Sequence, residues 1–249
     1  MIRLPFPHKI LFVALALVCF IAPITGIYSS QAQDTDLSDL SYEELLELLS
    51  QYVDTDTAQQ TVSSEAEEAF DKTLETFRKD GKIPSEGGTS TYWGDYEDEW
   101  AQIGWYQWVQ FENSNQFVFS SKVSWESGSE KPNTFDSGCG LIFNIGKGNN
   151  NHLMVSIRMD GLIYFNGQRN GNSLSYGTYR YGKPALQGEA ELVVVVDNDK
   201  VEIYVDGERV VRKTDVVIMG DGIGLSTLSG TNRDFGTRCT WKDIYVYTW

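Results

Sequence analysis

Histidine is nearly absent, with two in 249 residues. Zinc and copper centres that draw several ligands from imidazoles are thereby excluded. Basic residues are scarce as well. Twenty Lys and Arg stand against 35 Asp and Glu, a formal charge of −15. Duplex nucleic acid is bound by neutralising phosphates, and anionic membranes attract basic segments, so this balance argues against both partners. No P-loop, no Gly-x-Gly-x-x-Gly and no Gly-x-Ser-x-Gly occurs, which removes the common nucleotide and serine-hydrolase signatures. Asn-x-Ser/Thr sequons are missing too, as fits a bacterial source. What is plentiful is glycine, 23 residues, and aromatic side chains at 13%. That composition belongs to a turn-rich β protein and not to a disordered chain.

The acidity is local. Residues 1–32 carry +2, residues 33–99 carry −15 from 19 acids and 4 bases, and residues 100–249 carry −2. The basic start has the form of a secretory signal. Arg3, His8 and Lys9 precede a 13-residue apolar run from Ile10 to Ala22, and Ser30 and Ala32 are the small residues of a cleavage site. The run is too short for a spanning helix, which takes about 20 residues; an uncleaved anchor is the rival reading. Val18 before Cys19 speaks against a lipoprotein. The expectation is a signal peptide over 1–32, no membrane span after its removal, and a secreted, periplasmic or cell-surface protein. Export leaves Cys139 and Cys239, and an even pair in an oxidising compartment suggests one disulfide. Two buried free thiols are the alternative.

Residues 33–90 read as an acidic helical spacer and linker. Leu37, Leu40, Leu45, Leu48 and Leu49 recur at helical spacing, with Ser41 and Glu44 as a capping box. A second helix is predicted from Ser64 to Lys79, where Ala66, Ala69, Phe70, Leu74 and Phe77 form a stripe. Gly81 stops it. The two readings are a solvated spacer or a stripe that pairs with a partner.

From about residue 91 the period becomes two. Phe117, Phe119, Val123 and Trp125 share one face; Leu153, Val155, Ile157 and Met159 alternate with polar residues; so do Val201, Ile203 and Val205. Leu192 to Val196 is continuously apolar, as in a strand covered on both faces. Asp160-Gly161, Asn166-Gly167 and Asp206-Gly207 read as hairpin turns, because Gly and Asn or Asp accept positive φ. Many short strands without intervening helices make the chain mainly β, an antiparallel β-sandwich.

Two stretches then carry a resemblance. Lys200-Val-Glu-Ile-Tyr-Val-Asp-Gly-Glu-Arg-Val210 and the ending Gly222-Ile-Gly-Leu-Ser226 with Trp241, Asp243, Ile244 and Val246 resemble the concanavalin A-like, laminin-G-like superfamily. The resemblance covers about residues 91–249 and implies a jelly-roll fold. It is nearly silent on activity, since lectins, glycosidases, adhesion modules and structural domains share that fold. Some laminin-G-like domains bind calcium, so calcium stays open with no residue assigned; Asp197-x-Asp199 begins like a calcium loop, but Val201 takes the next ligand position. No other cofactor is implied.

Catalytic candidates are weak. A retaining glycosidase needs two carboxylates about 5 Å apart, and Glu97-Asp98-Glu99 lacks the spacing of the concanavalin-like glucanases. His152 follows an Asn run of ordinary turn composition. Aromatic residues are the better candidates. Tyr92, Trp93, Tyr96, Trp100, Trp105, Tyr106 and Trp108 fall within 17 residues, and flat rings stack on sugar faces. Asn166, Gln168 and Arg169, with Asn170 and Asn172, read as one polar loop, and Tyr179 lies in a second aromatic cluster. The candidate ligand residues are therefore Trp105, Trp108, Asn166, Gln168, Arg169 and Tyr179, against the plainer reading that these rings pack between sheets. The sequence points to an exported, non-catalytic module that binds a carbohydrate or cell-envelope component. A glycoside-active enzyme, of the glucanase or keto-disaccharide hydrolase type, is the alternative.

Overall fold

The structure is a computed structural model that describes residues 64–147 and 150–249. The expected signal peptide over 1–32, its expected cleavage site and the helix expected over 36–53 lie outside the described residues.

One helix, α1 (Ser64–Lys79), precedes twelve strands. These are β1 (Thr89–Trp100), β2 (Trp105–Asn113), β3 (Gln116–Ser127), β4 (Gly138–Ile145), β5 (His152–Arg158) and β6 (Leu162–Arg169), followed by β7 (Asn172–Arg180), β8 (Gln187–Asp197), β9 (Lys200–Val205), β10 (Glu208–Lys213), β11 (Gly222–Ser229) and β12 (Thr237–Thr248). They form two six-stranded sheets, ordered β1-β12-β3-β8-β9-β10 and β2-β11-β4-β5-β6-β7, and every pair within them is antiparallel. The alternating apolar residues meet between the sheets: Phe117 and Phe119 from one, Leu141, Phe143 and Val155 from the other, with Trp241, all fully buried. This is the antiparallel β-sandwich expected from the strand pattern, with the jelly-roll fold that the resemblance implied.

Cys139 on β4 and Cys239 on β12 are bonded, with Cα atoms 5.7 Å apart. The bridge pins one sheet to the other inside the core, where both residues are fully buried. The expected disulfide is therefore present.

The segment before the sandwich departs from the reading of a solvated spacer. Acidic Glu65 and Glu67 occupy the first turn of α1, and Arg78 and Lys79 the last, each sign facing the favourable end of the helix dipole. Gly81, at φ 67°, ends it, and the Lys82 N–H donates back to the Phe77 carbonyl at 2.9 Å. The stripe Phe70, Leu74 and Phe77 is buried against Val118, Val193, Val195, Tyr204, Tyr245 and Tyr247. Phe70 stacks on Tyr245 at 4.9 Å and Phe77 lies 5.2 Å from Tyr204. The helix thus covers the outer face of the first sheet. It also explains why β8 is apolar on both faces: Val194 and Val196 point into the core, Val193 and Val195 toward α1. Leu74→Ala is expected to cost about 3 kcal/mol, the usual cost of emptying a closed apolar site, read by urea unfolding. A loss under 1 kcal/mol would show that α1 is dispensable packing.

Turn chemistry is mostly as expected. Asp206 and Gly207 both take positive φ, 50° and 77°, in the β9–β10 turn. Asn166-Gly167 is a correction. Both residues lie inside β6, and the hairpin instead turns at Asn170-Gly171, with φ 52° and 76°. Asn166 and Gln168 are accordingly strand residues, not loop residues.

Candidate functional site

With α1 on the first sheet, the outer face of the second sheet is the face that no other described helix or strand covers. The ladder registers fix which side chains it presents. One row runs Trp108, Ser226, Gly140, Ser156, Tyr164 and Thr178 across all six strands, about 24 Å at ordinary strand spacing. On one side lies the row Gln110, Gly224, Ile142, Met154, Asn166 and Ser175. On the other lie Tyr106, Leu228, Gly138 and Arg158, with Leu162 and Arg180 paired beyond them. His152, Gln168 and Ser173 form a further short row. None of these positions is Asp or Glu.

The centre of this face is filled. Tyr106 Oη and His152 Nε2 share a hydrogen bond of 2.8 Å, so the Tyr106 ring reaches across to β5. Burial pushes the Tyr106 phenol up from its ordinary pKa. Ser226 Oγ is buried without a hydrogen-bond partner, while Trp108 in its row is half-buried. Glycine makes the close packing possible. A Cβ at Gly140 would sit 2.5 Å from the Val155 carbonyl oxygen, and one at Gly138 would sit 2.1 Å from that of Ile157. Backbone cannot yield as a flexible side chain does. Gly140→Ala should therefore destabilise by about 1–3 kcal/mol in thermal or urea unfolding; an unchanged midpoint would contradict the packing described.

At one end the face becomes polar and charged. Arg158 is 5% exposed as a residue. Its Nε donates to Ser156 Oγ at 2.7 Å and its Nη1 to the Phe135 carbonyl. It lies 4.8 Å from the Tyr164 ring centroid, and Phe135, 54% exposed, packs edge-on against Tyr164. Burial lowers the Arg158 pKa to about 10, opposed by Asp136, Tyr164 and Asp160; it stays charged at neutral pH. Burial, then the hydrogen bond to Asp160 at 2.8 Å, raises the Tyr164 phenol to about 12.

The sequence-based candidates divide. Trp108, from β2, and Asn166 and Gln168, from β6, share the outer face of the second sheet, four strand spacings apart. Trp105 is 64% exposed but lies on the opposite side of β2 from Trp108, at the open flank. Arg169 is exposed at the hairpin end. Tyr179 packs against the core and donates its hydroxyl to the Tyr176 carbonyl at 2.8 Å. Glu97 and Glu99 lie on neither site: Glu97 accepts from Thr240 Oγ1 at 3.2 Å, and Glu99 pairs with Arg238 at 2.6 Å. Asp98 points the other way and accepts from Gln107 Nε2 and Thr227 Oγ1, tying β1 to the second sheet.

Most of the dense aromatic cluster is structural. Trp93 packs on Phe111 and Tyr96 on Trp241, closing the flank between the sheets. Tyr164, Phe135 and Arg158 were missed as site residues, and Tyr106 was named in the aromatic cluster but not among the ligand residues. The alternation of Ser156 and Arg158 with apolar residues marked their face, but nothing in sequence placed β5 opposite Tyr106. Two cavities lie elsewhere, about 290 Å³ beside α1 and about 800 Å³ at the end of the sandwich lined by Gln110, Ile145, Asn151 and Met219. No group of three or more His, Cys, Asp or Glu among the described residues is placed to hold a metal ion.

No family model matches the chain, and no curated protein matches it. Similar solved structures include the carbohydrate-binding module CBM66 from Bacillus subtilis, with a TM-score of 0.47 and 14% identity over 62% of this chain and 92% of that one. A β-glucanase of Bacillus licheniformis has a TM-score of 0.39 at 14% identity, over 55% of this chain and 68% of that one. Sheep galectin-11 has a TM-score of 0.34 at 12% identity, over 51% and 95%. Likeness at this level decides neither ligand nor activity.

Proposed function

We propose that the protein is an exported, non-catalytic recognition module that binds a glycan on the outer face of the second sheet. The observation that carries the reading is the composition of that face. Trp108, Tyr106 and Tyr164 offer partly exposed aromatic area, and Asn166 and Gln168 offer paired donors and acceptors on the strand that carries Tyr164. Aromatic side chains with a polar tip suit ligands that are apolar on one surface and hydroxylated at the rim. The strand positions of the face lack carboxylates, which favours binding over glycoside hydrolysis, because hydrolysis takes a pair of them. The bound partner would be extracellular or part of the cell envelope, as the signal-like residues 1–32 suggest.

A glycan array probed with the mature chain, followed by product analysis of each hit, tests this reading. Binding without turnover is expected. Release of shorter saccharides would transfer the protein to the glycoside-active class. Silence across the array would leave the face without a sugar ligand.

A further inference from the structure

The outer face of the second sheet is basic. Residues 100–249 carry −2, yet the rows of this face hold Arg158 and Arg180 and no Asp or Glu. The two arginines share one end of the face, separated by two strand spacings, about 10 Å. Arg180 is exposed and spends Nη1 on the Gly182 carbonyl at 3.1 Å. Arg158 is buried, spends Nε and Nη1 on neutral acceptors, and forms no ion pair within the described residues.

The nearby acids are otherwise engaged. Asp160 accepts from the Leu162 N–H at 3.1 Å and from Tyr164 Oη at 2.8 Å, and Asp136 accepts from Asn133 Nδ2 at 2.6 Å. Neither lies within ion-pair distance of the guanidinium. A buried cation with no paired anion is costly unless something completes it. An Arg fork bonded along one side still presents N–H groups suited to a planar carboxylate or a sulfate.

Resting on the glycan reading above, we infer that the ligand is an acidic saccharide, its carboxylate or sulfate received at the Arg158–Arg180 end of the face while Tyr164 and Phe135 hold the ring that carries it. The neutral rings of the same chain then run toward Asn166 or Trp108. Charge at one end and stacking along the rest give the site a direction.

Calorimetric titration of the mature chain with dextran, polygalacturonate and dextran sulfate tests this, alongside an array holding neutral and acidic glycans. At least one charged polymer should bind about tenfold tighter than dextran, the scale of one charge-assisted contact, and the preferred polymer distinguishes carboxylate from sulfate. Arg180→Gln, at an exposed position, should reduce that preference about threefold. Arg158→Gln should reduce it tenfold or more. Arg180→Gln keeps the test open should the Arg158 variant fail to fold. Equal affinity for neutral and acidic glycans, or an acidic preference indifferent to Arg180, overturns the inference and leaves the glycan reading standing. No binding to any glycan overturns both.

Discussion

Replacing Cys139 and Cys239 together by alanine will lower the unfolding free energy by about 4–5 kcal/mol. The two residues are separated by 100 positions in sequence, so the bridge closes a long loop and removes many conformations from the unfolded chain. It also joins β4 to β12, one from each sheet, at a fully buried point of the core. Loss of that size is a large part of the 5–15 kcal/mol that holds a typical domain folded. Urea unfolding of the oxidised protein, the reduced protein and the double variant gives the comparison. The reduced protein and the variant should fall together. A loss below 1 kcal/mol would mean that the unfolded chain was already constrained, or that the sheets hold without the tie.

The second large effect is at Trp108. Trp108→Ala should weaken binding of any glycan hit by tenfold or more, the range of a buried aromatic contact at an interface, with little change in the unfolding midpoint. Trp105→Ala should leave affinity within about twofold, because Trp105 lies on the other side of β2. The pair separates a ligand face from general loss of exposed aromatic area. Equal losses at both positions would place the ligand on the flank between β1 and β2, beside Trp93 and Tyr96.

The fold was legible in sequence because the β pattern repeats at short range. Phe117, Phe119, Val123 and Trp125 name their face by parity alone, and the run Leu192 to Val196 announced cover on both sides of β8. What covers it was not legible. The stripe Phe70, Leu74 and Phe77 was visible as a helix face, yet a stripe does not say which surface receives it, and the acidity of the segment suggested a solvated arm. The candidate site was half legible for the same reason. Trp108, Asn166 and Gln168 lie four strand spacings apart in space and about 60 residues apart in sequence. Only the strand order β2-β11-β4-β5-β6 brings them to one face. Asn166-Gly167 misled because the dipeptide suits a turn chemically, while the tighter signal four residues on, Asn170-Gly171, made the turn. Arg158 looked like an ordinary polar strand position. Its burial follows from the Tyr164 ring packed on it and the Phe135 carbonyl beside it, a tertiary fact.

Hydrogen exchange of the protein, with and without a glycan that it binds, is the most direct measure of where recognition occurs. The account predicts added protection in β2, β5 and β6, strongest around Trp108, Arg158 and Asn166, with α1 and β8 unchanged. Protection confined to α1 and the first sheet, with the second sheet unaffected, would contradict it.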